Sequence, residues 1–428
     1  MAKCTKLHCE GYYLYRDDGT PFFYLADTAW ELFHRLNLQD AEYYLQDRAS
    51  KGFTAIQAVV LAEIDGLTEP NANGDLPFND LNTLTPNEKY FAHVDTIVDL
   101  AASLGMFITM LPSWGIYWRR DSSNKIFTVD SARRYGQYLG NRYRNKPIIW
   151  MLGGDSGMYA AEDHQMVNAI AQGLREGDQG EHLITYHPIG PGSSVMLVND
   201  RPWLDFHTCQ SSHAARDTFN GAFILQGRQM KPARPILDAE PRYEHIPIGF
   251  YNEDAYNARR FDDFDARQAA YFSVFSGACG HTYGNNNIWQ MHTADRVGRI
   301  GANIPWQIAI HHPGARQMGY LRKLMEENDF PHLEDANDLL VDAPRDGGAR
   351  CLARINHEKR IALIYSPYGL PFGVDCSSFG ARGFSAIWMN CKYGDYTPYV
   401  TLYLGAFQTF TPPTSGRGED WILVIKAH

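Results

Sequence analysis

Apolar and polar positions along this chain fall into two regimes. From about Phe22 to Glu327, short apolar runs alternate with segments of helical spacing. The runs start near Phe22, Thr54, Phe107, Ile148, Leu183, Leu204, Ile236 and His281. Rich in β-branched and aromatic residues and edged by Gly or Pro, they read as strands buried on both faces. Between them, polar-faced segments over 39–51, 94–104, 128–144, 164–175, 253–276 and 315–327 predict helices, with stops at Gly52 and Gly105 and a Thr128 cap. Eight strands alternating with helices imply parallel pairing and closure into a (β/α)8 TIM barrel. Ahead of it, Tyr12–Arg16 and Phe22–Ala26 flank the turn-rich Asp17-Asp18-Gly19-Thr20-Pro21, which predicts a β-hairpin.

After about residue 330 the helical spacing stops. Apolar runs at 339–341, 351–355, 361–365, 386–388, 400–404 and 421–425 are punctuated by Gly, Pro, Asp and Asn. That rhythm predicts a small antiparallel β-sandwich. The expected organisation is therefore an α/β chain: a barrel with its N-terminal hairpin over 1–330 and a sandwich over 331–428. The longest strand-to-helix connections, 62–87 and 113–127, are expected to roof a pocket.

Charge and composition narrow the partners. A net charge of −10 without any basic run argues against a nucleic-acid surface. No stretch approaches the ~20 apolar residues of a membrane span. The seven cysteines are scattered and form no CxxC pair, so neither a disulfide framework nor a zinc site is indicated. No metal and no cofactor is expected. Met1-Ala2-Lys3-Cys4 leads into polar sequence, so a cytoplasmic protein is the expectation. Oligomeric state is not specified by these features. The notable bias is aromatic: nine Trp, 25 Tyr and 22 Phe, with Trp30, Trp114, Trp118 and Trp289 each following a predicted strand. Flat rings at a pocket mouth suit the apolar faces of sugars.

Two acidic residues carry the candidate chemistry. Pro147-Ile148-Ile149-Trp150-Met151-Leu152 opens into Gly153-Gly154-Asp155, and Pro235-Ile236-Leu237-Asp238-Ala239 opens into Glu240. These are predicted strands four and seven, and the C-terminal ends of barrel strands are where such folds place catalysis. A carboxyl pair facing across the mouth suits acid–base attack on a glycosidic bond. Asp155, after an apolar strand and two glycines, is assigned as acid/base. Glu240, followed by Arg242 and Tyr243 whose cation and phenol would favour an anion, is assigned as nucleophile, with Glu244 the nearby alternative. Asp27, Gln57, His187, His207, Gln210, Tyr243, Tyr283 and Asn285 also fall at or near strand ends and are candidates to bind sugar hydroxyls. His187 and His207, closing consecutive predicted strands, leave open a metal-dependent hydrolase. That reading wants a His-x-His after strand one, where Leu25-Ala26-Asp27 stands. A non-catalytic carbohydrate-binding protein is the remaining alternative.

The segments Phe23–Leu32, Lys51–Gln57, Trp150–Asp155 and Asp238–Pro241 resemble the apiosidase-like glycoside hydrolases, family 140. The resemblance covers the barrel, and the C-terminal sandwich is similar to the domain usually appended in that family. It implies a retaining barrel enzyme with an aspartate acid/base at Asp155 and a glutamate nucleophile at Glu240. It also implies release of apiose from pectic side chains, and Gly154-Asp155 stands where the wider clan carries Asn-Glu.

Overall fold

The computed structural model describes residues 5–250, 259–375, 377, 383–398, 401–404 and 407–428. Eight parallel strands form the barrel wall: Tyr24–Thr28, Ala55–Leu61, Phe107–Ser113, Ile148–Gly153, Ile184–His187, His207–Gln210, Ile236–Asp238 and Gly280–Tyr283. The second and third are buried at every position, as expected of strands covered by helices outside and by barrel core inside. Strand eight returns to strand one with Gly280 opposite Tyr24 and Tyr283 opposite Asp27. Strands five and six share no ladder among the described residues. Threonine hydroxyls bridge them instead: Thr185 Oγ1 donates to Phe206 O at 2.7 Å, and Thr208 Oγ1 donates to Tyr186 O. A short strand, Gly192–Ser193, pairs antiparallel with strand six.

The sixth strand corrects the sequence reading. It begins at His207, three residues later than Leu204. Trp203 and Leu204 are buried in a turn, and the Trp203 indole donates to Asn168 Oδ1 at 2.8 Å. Apolar residues there pack on the flanking helix rather than joining the sheet. The N-terminal hairpin is instead a three-stranded antiparallel sheet, Leu7–Glu10, Tyr13–Arg16 and Pro21–Phe22, before the chain enters the barrel at Tyr24.

Helices start where their caps direct. Thr128 accepts from Ser131 N at 3.2 Å while Ser131 Oγ accepts from Thr128 N at 3.0 Å, opening Val129–Tyr143. Asp262 and Asp265 make the same reciprocal box at the start of Asp263–Phe275. A helix was expected from about 253, and residues 251–258 lie outside the described ones. The helices on either side of strand four, Val129–Tyr143 and Ala161–Asp178, meet along glycines. A Cβ on Gly173 would stand 2.0 Å from Arg133 O, and one on Gly140 2.6 Å from Leu174 O. Backbone therefore touches backbone behind the strand that carries Asp155.

Beyond Phe330, a six-stranded antiparallel sheet faces a three-stranded one, Leu340–Val341, Phe372–Asp375 and Phe407–Phe410. The last two strands are too short and Gly- or Gln-interrupted to register in the sequence pattern. The larger sheet packs on helix Asp263–Phe275, where Tyr365 stacks on Tyr271 with ring centroids 4.7 Å apart. Beneath that contact Arg267 is fully buried and donates to both carboxylate oxygens of Asp420, at 3.1 and 2.9 Å from Nε, and to Gln317 Oε1 at 2.6 Å.

Candidate active site

Strand four ends by breaking its own extension. Gly153 and Gly154 have φ of 94° and 81°, and Asp155 follows at 50°. Side chains are excluded at both glycines: a Cβ on Gly153 would lie 2.2 Å from His187 O, and one on Gly154 would meet Trp114. The turn lifts Asp155 into a cleft of about 700 Å³ at the C-terminal mouth of the barrel. Trp30, Trp114, Gln210, Tyr243, Trp289 and Glu240 line the same cleft.

Glu240 is held by two imidazoles. His213 Nε2 donates to its Oε1 at 3.1 Å. His187 Nε2 lies 3.2 Å from Oε2, off the hydrogen-bonding line but close enough for a strong electrostatic contact. Each ring is oriented from behind by a backbone N–H: Asp155 N donates to His187 Nδ1 at 3.3 Å, and Tyr243 N donates to His213 Nδ1 at 3.4 Å. With Nδ1 accepting in both rings, the Nε2 protons face Glu240.

The two carboxyls are thereby driven apart in acidity. Burial pushes Glu240 up, but the contacts from His187 and His213 outweigh it and hold the carboxyl down at about 2. Burial and then the Glu240 anion push Asp155 up to about 6, against the opposing effects of His187, Gln210 and His213. Environments that separate a pair in this way make one member an acid and the other an anion near neutrality. The residues that hold Glu240 as an anion are not those expected. Arg242 is occupied elsewhere, with Asp265 O, Thr218 and Gln268, and the Tyr243 hydroxyl donates to Thr28 Oγ1 at 3.2 Å.

The aromatic wall is built from Trp30 and Trp114, whose rings stand 5.3 Å apart at 58° and both contact His187. Trp289 completes it, its indole donating to Asn286 Oδ1 at 3.1 Å. Trp118 is not part of the wall. It is buried under the loop, donating to Gly153 O at 3.0 Å. Gln210 has a side-chain hydrogen bond with Asp155, and its Oε1 has no hydrogen-bond partner among the described residues.

His187 lies behind the lining against Glu240, and five other residues proposed from strand-end position lie outside the cleft lining. Asp27 accepts from Tyr44 Oη and Arg48 Nε, both on helix Leu38–Ser50, and faces the helix layer. Gln57 is enclosed in the barrel core, bridging Ala239 O at 3.0 Å and Tyr24 Oη at 3.2 Å. Tyr283 donates to Glu244 Oε2, which also accepts from Gly314 N at 3.2 Å, so that pair anchors the last helix. Asn285 pairs with His312 at 2.9 Å. His207 opens strand six rather than closing it, with Nδ1 at 3.0 Å from Ser194 Oγ and Nε2 at 3.1 Å from Asn199 Oδ1. It stands at the opposite end of the barrel from His187, so the two do not converge on a metal. Two lining residues had no sequence signal: His213 and Glu63 sit in loops without periodicity.

A parallel barrel with paired carboxyls at its mouth, walled by tryptophans, defines a glycoside hydrolase. Residues 8–332 match the family model described as "Apiosidase-like, catalytic domain". Residues 335–426 match one described as "Putative collagen-binding domain of a collagenase". Among solved structures, one described as a glycoside hydrolase is 32% identical with a TM-score of 0.89, the match covering 99% of this chain and 97% of that one. A glycoside hydrolase family 5 structure from Bacteroides vulgatus ATCC 8482 is 30% identical with a TM-score of 0.90, covering 99% and 92%. No curated protein matches. The chain belongs to the apiosidase-like glycoside hydrolases. Among the described residues no helix is long and apolar enough to cross a membrane.

Proposed function

We propose that this glycoside hydrolase works by double displacement, with Glu240 as nucleophile and Asp155 as acid/base, on pectic oligosaccharides carrying apiose-type side-chain sugars. The observation that carries the roles is the pair of imidazoles on Glu240, His213 Nε2 at 3.1 Å and His187 Nε2 at 3.2 Å, which favour its anion while burial and that anion favour a protonated Asp155 in the same cleft. In the first step the Glu240 carboxylate attacks the anomeric carbon while Asp155 gives its proton to the departing oxygen. In the second, Asp155, now a base, takes a proton from water as that water displaces Glu240. Trp30, Trp114 and Trp289 exclude water and hold the sugar face, and Gln210 Oε1 is placed to accept from a hydroxyl. Apiose and pectin come from the family's name and its resemblance; the cleft itself supports a small, hydroxyl-rich ring.

The test is turnover of p-nitrophenyl glycosides, the apioside included, and of pectic side-chain oligosaccharides, with proton NMR following the first-formed anomer. Retention of configuration supports the assignment. A first product of inverted configuration removes Glu240 from the nucleophile's role.

A further inference from the structure

A second cavity, of about 680 Å³, adjoins the catalytic cleft, and Glu63 lines both. Glu63 follows strand two on the long connection 62–87. The chain is fastened on each side of it. Tyr117 Oη donates to the carbonyl of Ala62 at 2.8 Å, and Ile64 N donates to Glu31 Oε1 at 3.0 Å. Glu31 is itself fixed by His34 Nδ1 at 2.7 Å. The Glu63 carboxyl, by contrast, makes no hydrogen bond among the described residues. A polar group held rigidly at a cavity wall with its own bonding capacity unused is arranged for a ligand. The second cavity offers the mixture a sugar requires: the apolar faces of Ile116 and Tyr117 beside Thr68, Asn124 and Lys125.

We propose that this adjoining cavity is a sugar subsite on the leaving-group side, and that Glu63, at the wall the two cavities share, binds hydroxyls of the glycan across the cleavage point. The proposal rests on the roles given above to Asp155 and Glu240. The side is set by how the loop is fastened: Gly115 N donates to Gly154 O at 3.1 Å, tying the stretch whose Ile116 and Tyr117 wall the second cavity to the turn that presents Asp155, the proton donor to the leaving oxygen. The chemistry of Glu63 fits the task. Burial first, then the charges of Asp155, Glu31 and Glu240, push its carboxyl up to about 8 against the opposing effect of Arg299. Near neutrality it is a carboxylic acid, able to donate to one hydroxyl of a vicinal pair and accept from the other.

The experiment uses the full chain carrying Glu240→Gln, so that binding is read without turnover. A pectic side-chain oligosaccharide and a p-nitrophenyl glycoside are titrated by calorimetry into this protein and into the same protein with Thr68→Trp, which fills the second cavity from an exposed position. Thr68→Trp is expected to weaken the oligosaccharide at least about tenfold more than the small glycoside. Glu63→Ala is expected to weaken the oligosaccharide by a similar factor. Glu63→Gln is expected to retain affinity at pH 6 and to abolish the loss of affinity that the parent shows as rising pH ionises Glu63. If Thr68→Trp does not fold, Asn124→Trp fills the same cavity. Equal effects on both ligands, no effect on either, or no oligosaccharide binding to the parent overturns the subsite. Oligosaccharide binding that responds to these variants in a wild-type enzyme that cleaves nothing overturns the catalytic assignment instead.

Discussion

The backbone N–H of Asp155 donates to Nδ1 of His187 at 3.3 Å, so the residue assigned as acid also decides which nitrogen His187 turns toward Glu240. The contact exists because Gly153, Gly154 and Asp155 all adopt positive φ, which swings the Asp155 amide back over the neighbouring strand. Asp155 and Glu240 are therefore linked through one imidazole. Tyr243 N does the same for His213 from the other side.

Removing one of these imidazoles should show in the acid limb of the pH profile. A hydrogen bond to an ionised group contributes ~1.5–3 kcal/mol net, which is roughly 10- to 100-fold in rate where it acts on the reacting group. His213→Ala is expected to lower kcat by that factor and to move the lower limb of kcat/KM upward from about 2, since the anion loses its Oε1 donor. Steady-state kinetics between pH 2 and about 8 measure both. An unmoved lower limb would mean that His213 does not hold the anion.

On the proposed roles, turnover requires Glu240 without its proton and Asp155 with one. Activity is then present between about 2 and about 6, is lost as pH rises through the Asp155 value, and is lost as pH falls through the Glu240 value. Asp155→Asn is expected to abolish the upper limb together with at least about 100-fold of kcat on substrates with poor leaving groups. An activated aryl glycoside should suffer less in its first step, because its leaving oxygen needs no proton.

The same substitution should make the protein more stable. A carboxyl whose value is raised on folding releases its proton more readily in the unfolded chain, so stability falls as pH climbs from the ordinary aspartate range to about 6, and the loss persists above it. Asp155→Asn removes that loss, on the order of 3 kcal/mol at pH 8. Thermal unfolding of parent and variant at pH 4 and pH 8 reads the difference, which should appear only at the higher pH.

Asp420→Ala leaves the buried Arg267 beneath the C-terminal sheet with Asp263, 3.2 Å away, as its remaining carboxylate among the described residues. Breaking a buried pair on one side costs ~3–5 kcal/mol. Replacing both partners, Arg267→Met with Asp420→Leu, is expected to recover most of it. Denaturant unfolding of the three variants tests the pair, and equal losses in the single and double variants would count against it.

Gly173→Val places a branched side chain where a Cβ alone would lie 2.0 Å from Arg133 O. Overpacking of this kind costs ~1–3 kcal/mol. Because the two helices flank strand four, kcat should fall as well as the melting temperature, while Gly11→Ala, on an open turn, should leave kcat alone.

The barrel was readable because its strands are buried on both faces, and such strands announce themselves as apolar runs. The exception, strand six, is His207-Thr208-Cys209-Gln210, a polar-looking segment beside the more apolar Trp203-Leu204 that the fold uses as a turn. Asp155 and Glu240 were equally visible, each directly after such a run. What the sequence could not separate was a polar strand-end residue facing the cleft from one facing the helices. Asp27 is decided by Arg48 and Tyr44, about a helix away in the chain, and Gln57 by Ala239, 182 positions distant. His213 and Glu63 come from loops whose positions depend on distant hydrogen bonds, so no local pattern marks them.

Between strands five and six the wall is stitched by the hydroxyls of Thr185 and Thr208 rather than by a backbone ladder. Those strands end in His187 and Gln210, which lie in barrel order between the strands leading to Asp155 and Glu240. Parting a stitched seam disturbs fewer bonds than unzipping a laddered one. Exchanging those threonines for valines is therefore expected to loosen the wall beside Gln210, the residue proposed to accept from a sugar hydroxyl, and to change which ring sizes are turned over.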